Sequence, residues 1–202
     1  MNINKIYMGI DPGLSGACVY LWGNGVYVFQ TPILITKKFK KNKKKKMVQV
    51  NHREYDIRAL LDRLEDIHGV ARSFKATLIA GLESVHAFPK QGSVSNFSFG
   101  KGYGTWITAL ESQKISYQLI TPQKWKKYFG LIGCEKNAAV EKVKKLFASS
   151  LEKNMVSIYG DLSSGETSLG VNMDIDRRLN HNHADAILIA LYLKQVGEKN
   201  LC

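Results

Sequence analysis

The feature that most constrains the fold is a short strand near the start of the chain that ends in a carboxylate. Residues 5–11, KIYMGID, alternate between two faces, with Gly9 and Asp11 on the same face, and this period of two is typical of a β-strand. After a turn, residues 17–22 and 26–30 form two more apolar runs, separated by an Asn-Gly pair that is a strong hairpin signal. The three runs predict an antiparallel meander that leaves Asp11 at the end of its first strand.

Helical and strand patterns alternate along the rest of the chain, in the order β-β-β-α-β-α-β-α. Apolar residues at helical or strand spacing predict helices at about 53–67, from about 103, at 122–129, 136–148 and 183–195, and strands at 76–83 and 116–121. A right-handed crossover places strand 76–83 parallel to the first strand and beside it. Asp11 and Glu83 are then neighbours at one edge of a mixed α/β sheet, because adjacent strands lie about 4.8 Å apart.

Length and composition indicate one globular domain spanning residues 1–202. Apolar residues make up 45% and charged residues 23% of the chain, which excludes wholly disordered, collagen-like and disulfide-scaffold proteins. No apolar run is long enough to span a membrane, so we expect a soluble protein with no membrane partner. Three widely spaced cysteines favour a reducing compartment. A basic loop inserted at about 37–50 and an irregular excursion at about 150–180 interrupt the domain.

A lysine run accounts for most of the charge. The formal net charge is +12, and residues 37–46 contribute eight lysines and no acid. So large a positive charge predicts a polyanionic partner such as nucleic acid. The run fits a solvated mobile loop, a nuclear-targeting signal or a set of phosphate contacts, and we favour the last. The candidate DNA-binding lysines are Lys37, Lys38, Lys40, Lys41, Lys43, Lys44, Lys45 and Lys46.

The strand-ending acids predict a cation site. Two clustered carboxylates repel each other and are costly to desolvate unless a cation or a shared proton relieves them, and oxygen ligands suit Mg²⁺ or Mn²⁺. Asp185 is a third candidate near the start of the last helix, where an acid could also serve only the helix dipole. His181 and Asn182 would lie on the same side of that helix as Asp185.

Five segments of the chain form a recognisable combination: GIDPGLSGA from Gly9, the strand ending at Glu83, FPKQGSVSNFSFGKGYGTW, TPQKWKKYFGL and HADAILIA. Together they resemble the RuvC-like Holliday-junction resolvases of the RNase H-like superfamily, closest to the phage-type and plant-chloroplast branch. The resemblance covers the chain except residues 37–50 and about 150–178. It implies a five-stranded mixed sheet in the order 3-2-1-4-5, flanked by helices.

The resemblance also implies the ligands of a metal site. Asp11, Glu83 and Asp185 match the metal-binding acids of the family, which holds two Mg²⁺ or Mn²⁺ ions per active site. Family members place an acid or a histidine three or four residues before the last aspartate. Here those positions hold Asn182 and His181, and we assign His181. The alternatives are Asn182 and two nearby acids, Asp174 and Asp176.

Further contacts with DNA follow from the same resemblance. Lys136 resembles a lysine that family members place near the scissile phosphate, although it also fits a solvated helix lysine. Phe88 and Phe97 are candidates for stacking on unpaired bases at a junction, and core packing is the alternative for both. Lys90, Gln91 and Lys101 belong to the same Gly- and Ser-rich tract and complete the predicted DNA contacts.

These features predict a metal-dependent crossover junction endonuclease that cuts four-way DNA junctions symmetrically during recombination and repair. Two equivalent cuts imply a homodimer. We expect it in the cytoplasm or another reducing compartment that contains nucleic acid, such as a bacterial or phage nucleoid or an organelle. One alternative is a junction-binding module without catalysis, which metal-dependent cutting would exclude. The other is a phosphotransferase-like domain, because DPGLSG resembles a phosphate loop, and ATP turnover would reveal it.

Overall fold

The structure, a computed structural model, describes residues 5–42, 44–84, 92–152, 157–160, 171–172 and 179–199. The strands are β1 Lys5–Asp11, β2 Ala17–Trp22, β3 Gly25–Gln30, β4 Ile33–Lys41, β5 Met47–Tyr55, β6 Thr77–Glu83, β7 Ser116–Ile120, β8 Ser157–Gly160 and β9 Val171–Asn172. The helices are α1 Ile57–Ser73, α2 Ser93–Ser112, α3 Pro122–Phe129, α4 Ala138–Glu152 and α5 His181–Lys199. Within these residues no helix is long and apolar enough to cross a membrane.

Seven of the described strands form one mixed sheet in the order β7-β6-β1-β2-β3-β8-β9. The meander pairs antiparallel, whereas β6 and β7 run parallel to β1. The five predicted strands therefore lie next to one another in the predicted order. The prediction of only five strands is wrong, because β8 pairs with β3 and β9 with β8. Both strands come from the stretch 150–180 that we expected to be irregular. Strand β8 pairs with the outer edge of β3, whose backbone groups would otherwise lack partners in the sheet, and β9 extends the sheet beyond β8.

The segment 37–50 is a β-hairpin, and the prediction of a basic loop there is wrong. Strands β4 and β5 pair antiparallel from Ile33 opposite Tyr55 to Lys41 opposite Met47. At the tip, the Asn42 side chain accepts hydrogen bonds from the backbone N–H groups of Lys44 at 2.9 Å and Lys46 at 3.0 Å. Exposed lysines do not prevent a strand from forming, because the ladder needs only backbone groups and long side chains can extend into water on both faces.

Helices cover both faces of the large sheet. On one face Ile6, Met8 and Ile10 of β1 pack in a cluster with Leu60 of α1 and Trp106 of α2. The predicted helix at 53–67 begins later, at Ile57, because residues 51–55 belong to β5. Its cap is the Asp56 side chain, which accepts from the Ala59 N–H at 3.0 Å.

The opposite face of the sheet is covered by α5 and α4. Tyr7 of β1 and Val19 of β2 share a buried cluster with Ile187 of α5 and Val143 of α4. Helix α5 lies so close to β1 that a Cβ atom on Gly9 would overlap the carbonyl oxygen of Ala186. A glycine at this strand position is thus what brings the first turns of α5 down to the end of β1.

Helix α2 begins at Ser93, ten residues before the predicted start near Tyr103. The glycines of this tract suggest a loop from sequence, yet Gly100, Gly102 and Gly104 lie within the helix and Gly92 is its N-cap. Gly102 has a packing role, because a Cβ atom there would overlap the Tyr55 hydroxyl. The remainder of the predicted loop, residues 85–91, lies outside the described residues.

Candidate active site

Asp11 and Glu83 are brought together by the register of two parallel strands. Ile10 of β1 pairs with Leu82 of β6, and Asp11 and Glu83 are the last residues of these strands. The two carboxylates therefore stand side by side at the carboxyl edge of the sheet, as the sequence predicts. Both side chains are half-buried.

Asp185 joins the pair from the first turns of α5, next to the residue that packs on Gly9. Burial first, and then the charges of Glu83 and Asp185, raise the pKa of Asp11 to about 8. Burial and the charge of Glu83 raise the pKa of Asp185 to about 6. The pKa of Glu83 is also raised, by burial. Three acids on three elements thus form one electrostatically coupled cluster that favours taking up protons or cations.

Helix α3 contributes two residues that sequence reasoning missed. The Trp125 side chain is fully buried and its Nε1–H donates a 2.8 Å hydrogen bond to Oε1 of Glu83, which holds the carboxylate in place and lowers its pKa. The positive charge of Lys126 acts to lower the pKa of Asp11, Glu83 and Asp185. The segment TPQKWKKYFGL carried a signal, because the N–H of a tryptophan at the inward position of a short amphipathic helix usually finds a hydrogen-bond partner.

Tyr55, the last residue of β5, is a third residue that the sequence analysis did not select. Its side chain is buried, and burial together with the charge of Asp11 raises the pKa of its hydroxyl. The base of the hairpin therefore lies at the carboxylate cluster.

His181 and Asn182 occupy different environments at the start of α5. The Asn182 Nδ2 group donates a hydrogen bond to the Ser15 carbonyl in the turn that follows β1. Burial and then the charge of Lys136 lower the pKa of His181 below 6.5. Lys136 also acts to lower the pKa of Asp185, so it lies at the same end of the sheet. Asp174 and Asp176 lie outside the described residues.

Among the side chains that the structure describes, no three histidine, cysteine, aspartate or glutamate residues are grouped as a metal site. Asp11, Glu83 and Asp185 are nevertheless close enough for their charges to interact, because Glu83 raises the pKa of both aspartates and Asp185 raises that of Asp11.

Apart from Lys136, the predicted DNA-contacting residues that the structure describes lie on two exposed surfaces. Phe97 and Lys101 are exposed on α2, and Phe97 is 76% accessible, so core packing of Phe97 is excluded. The lysines of the run are exposed on the hairpin: Lys37, Lys38, Lys40, Lys41, Lys44, Lys45 and Lys46. The other predicted contacts lie outside the described residues: Lys43, Phe88, Lys90 and Gln91.

No protein-family model and no curated protein matches the chain. Among solved structures, RuvC of Thermus thermophilus is similar over 95% of this chain and 96% of its own, with 11% identity and a TM-score of 0.46. The T. thermophilus RuvC in complex with a Holliday junction substrate aligns over 95% and 96%, with 13% identity and a TM-score of 0.43. The yeast mitochondrial Holliday junction resolvase Ydc2 aligns over 98% of this chain and 83% of its own, with 14% identity and a TM-score of 0.43.

Proposed function

We propose that this protein is a divalent-metal-dependent endonuclease that hydrolyses phosphodiester bonds symmetrically in four-way DNA junctions. The observation that carries the proposal is the coupled cluster of Asp11, Glu83 and Asp185, whose pKa values are all raised by burial. Clustered, buried carboxylates are unfavourable as free anions, and a bound cation would relieve that cost. The segments that carry these three acids resemble motifs of the RuvC-like Holliday-junction resolvases, and this resemblance supports phosphodiester hydrolysis in junctions as the reaction.

The donor set fits Mg²⁺ or Mn²⁺. Carboxylate oxygens are the ligands that these hard cations prefer, and the burial that penalises the anions is offset by cation binding. Asp11, Glu83 and Asp185 would hold the metal, with His181 as the fourth ligand. A bound pair of such ions would supply Lewis-acid activation of water and of the leaving oxygen.

The remaining residues have positioning and electrostatic roles. Trp125 fixes the orientation of Glu83 through the 2.8 Å hydrogen bond, so this carboxylate needs little reorganisation to bind a cation. Lys126 and Lys136 bring positive charge to the acids and would attract the scissile phosphate.

A homodimer would provide the second cut. A four-way junction has two equivalent strands to be cut, and two active sites related by a two-fold axis match that symmetry. The mass in solution, measured by analytical ultracentrifugation with and without junction DNA, tests this part. A monomer that cuts one strand only would contradict symmetric cleavage.

The direct test is cleavage of a labelled four-way junction in Mg²⁺, in Mn²⁺ and in EDTA. We expect paired cuts in either metal, none in EDTA, and none on a linear duplex of the same sequence. The matched variant Glu83→Gln should bind the junction without cutting it. Junction binding without metal-dependent cutting by the parent protein would favour the non-catalytic module, and ATP turnover would favour the phosphotransferase reading.

A further inference from the structure

The β4–β5 hairpin has two chemically different faces. Residues directly opposite each other in an antiparallel ladder lie on the same face, and alternate residues lie on opposite faces. The register assigns Ile33, Ile35, Lys37, Phe39, Lys41, Met47, Gln49, Asn51, Arg53 and Tyr55 to one face, here called the site face. It assigns Leu34, Thr36, Lys38, Lys40, Val48, Val50, His52 and Glu54 to the other, here called the back face.

The site face is the more cationic and the more exposed of the two. Its charged residues are Lys37, Lys41 and Arg53, with no acid, and its members from Ile35 to Arg53 are all exposed. Three of them are large apolar side chains with high accessibility: Ile35 at 62%, Phe39 at 69% and Met47 at 57%.

On the back face, part of the positive charge is neutralised by an acid of the same face. Glu54 lies 3.8 Å from Nζ of Lys38 and 2.8 Å from Nε2 of His52. The hydrogen bond from His52, and then the charge of Lys38, lower the pKa of Glu54, which keeps it anionic. The β5 residues of this face, Val48 and Val50 among them, are partly covered.

The site face is continuous with the carboxylate cluster. Arg53 donates from Nη2 to the Leu14 carbonyl at 2.7 Å and from Nη1 to Oγ of Ser15 at 3.1 Å, in the turn that directly follows Asp11. Tyr55 is close enough to Asp11 for the carboxylate charge to raise its pKa. The base of this face is therefore tied to the loop that carries the first acid.

We propose that the site face is a track for a single strand of the nucleic acid that the carboxylate cluster cuts, with Lys37 and Lys41 on phosphates and Phe39 stacked on a base. This deepens the proposed function and rests on it. Exposed aromatic side chains between cations, with amides beside them, are the chemistry that binds single strands without sequence preference. The site face carries no acid, in contrast to the back face with Glu54. A uniformly cationic face favours a polyanion as its partner over a protein surface of mixed charge.

The test compares two double variants of equal charge in the full-length protein. Lys37→Ser with Lys41→Ser removes both lysines of β4 from the site face. Lys38→Ser with Lys40→Ser removes both lysines of the same strand from the back face. Binding of single-stranded DNA and of a four-way junction is measured in EDTA over a range of salt. We expect the site-face pair to lower the slope of log affinity against log salt by about 1.4 on single strands, since each phosphate contact contributes about 0.7. The back-face pair should lower it by less than half as much.

A second pair of variants examines stacking. Phe39→Ala should weaken single-strand binding by about 5- to 150-fold, the range for loss of one base–aromatic stack. Val48→Ala, a truncation on the back face, should leave binding unchanged. Circular dichroism confirms that each variant is folded.

Equal losses from the two lysine pairs, or parental binding by Phe39→Ala, would overturn the track and leave the hairpin as an undirected cationic arm. Junction cleavage, scored separately in Mg²⁺, reports on the proposed function. If the parent protein cuts junctions but both faces contribute equally to binding, only the proposed single-strand track is overturned. A parent that neither binds DNA nor cuts it loses both.

Discussion

The carboxylate edge and the β4–β5 hairpin adjoin each other, carry opposite charge and are held in different ways. At the edge, Asp11, Glu83 and Asp185 come from three elements locked by packing, with α5 lying on Gly9 and Trp125 bonded to Glu83. The hairpin is held along its length by its own backbone ladder, and its lysines are exposed. The buried region therefore controls geometry, whereas the exposed region controls charge. Substitutions should therefore affect chemistry in the first and affinity in the second.

The largest expected effect separates these two roles. Asp11→Asn, Glu83→Gln and Asp185→Asn should each reduce junction cutting by more than about 100-fold, beyond the loss that follows from removing an outer-shell partner of a metal. Binding should persist, because the acids do not contact phosphates. Substituting the hairpin lysines with serine should do the reverse, weakening DNA binding and lowering the slope of log affinity against log salt. Saturating concentrations of DNA should restore the cleavage rate of these variants. Single-turnover rates and binding isotherms measure both.

Near-parental cutting by any one of the three acid variants would remove that residue from the site. An unchanged salt dependence after the lysine substitutions would return the run to a solvated hairpin with no DNA contact.

The second prediction tests whether geometry at the edge depends on one hydrogen bond. Trp125→Phe keeps the buried ring but removes the donor to Glu83, and we expect cutting to fall about 10- to 100-fold, as for other outer-shell partners, with binding unchanged. Trp106→Phe is the matched control, because Trp106 is also fully buried and its Nε1 has no hydrogen-bond partner among the described residues. Equal cutting by the two variants would show that Trp125 only fills the core.

The third prediction concerns His181, where this chain departs from an all-acid ligand set. Burial and Lys136 lower its pKa below 6.5, so the ring is neutral at pH 7 and loses its capacity to bind metal only as the pH falls through that lower value. Imidazole suits Mn²⁺ better than Mg²⁺, so Mn²⁺ should support faster cutting. His181→Asp should retain cutting, flatten the acid limb of the pH–rate profile and shift preference towards Mg²⁺. A His181→Ala variant that matches the parent with both metals would direct attention to Asn182, Asp174 or Asp176.

The smallest effect is on stability without metal. The pKa of Asp11 is about 8 in the folded state and 3.8 in its ordinary state, so the folded chain keeps a proton that the unfolded chain has lost. The associated stability is complete below about pH 4 and is lost as the pH rises towards 8. We expect the melting temperature in EDTA to fall between pH 5 and 8, by about 2–4 °C for each kcal/mol in a domain of this size.

The matched variant for this measurement is Asp11→Asn, which has no proton to lose. Its melting temperature should vary less over the same pH range, and Mg²⁺ should stabilise the parent more than the variant. A parent whose stability rises from pH 5 to 8 in EDTA would contradict the coupled, desolvated cluster.

Much of the fold follows from local patterns. The alternation in residues 5–11 fixed the face on which Asp11 stands, and the strand–helix order fixed the neighbours of β1, because crossover handedness and short connections leave few arrangements. The hairpin was misread because a run of lysines indicates solvation, whereas a β-ladder depends on backbone pairing that the charge pattern does not reveal. The early start of α2 was missed for a related reason, since its glycines suggest a loop until Tyr55 is seen to pack against one of them.

For the site, the sequence by itself determined which acids end the strands and therefore that Asp11 and Glu83 meet at one edge. Only the tertiary structure decided which other groups reach that edge: Trp125 and Lys126 from α3 and Tyr55 from the hairpin. The physical reason is the range of the interactions. Strand periodicity and helix propensity act between residues a few positions apart, whereas the partner of a buried carboxylate is chosen by packing between elements distant in sequence, and 42 positions separate Glu83 from the indole that holds it.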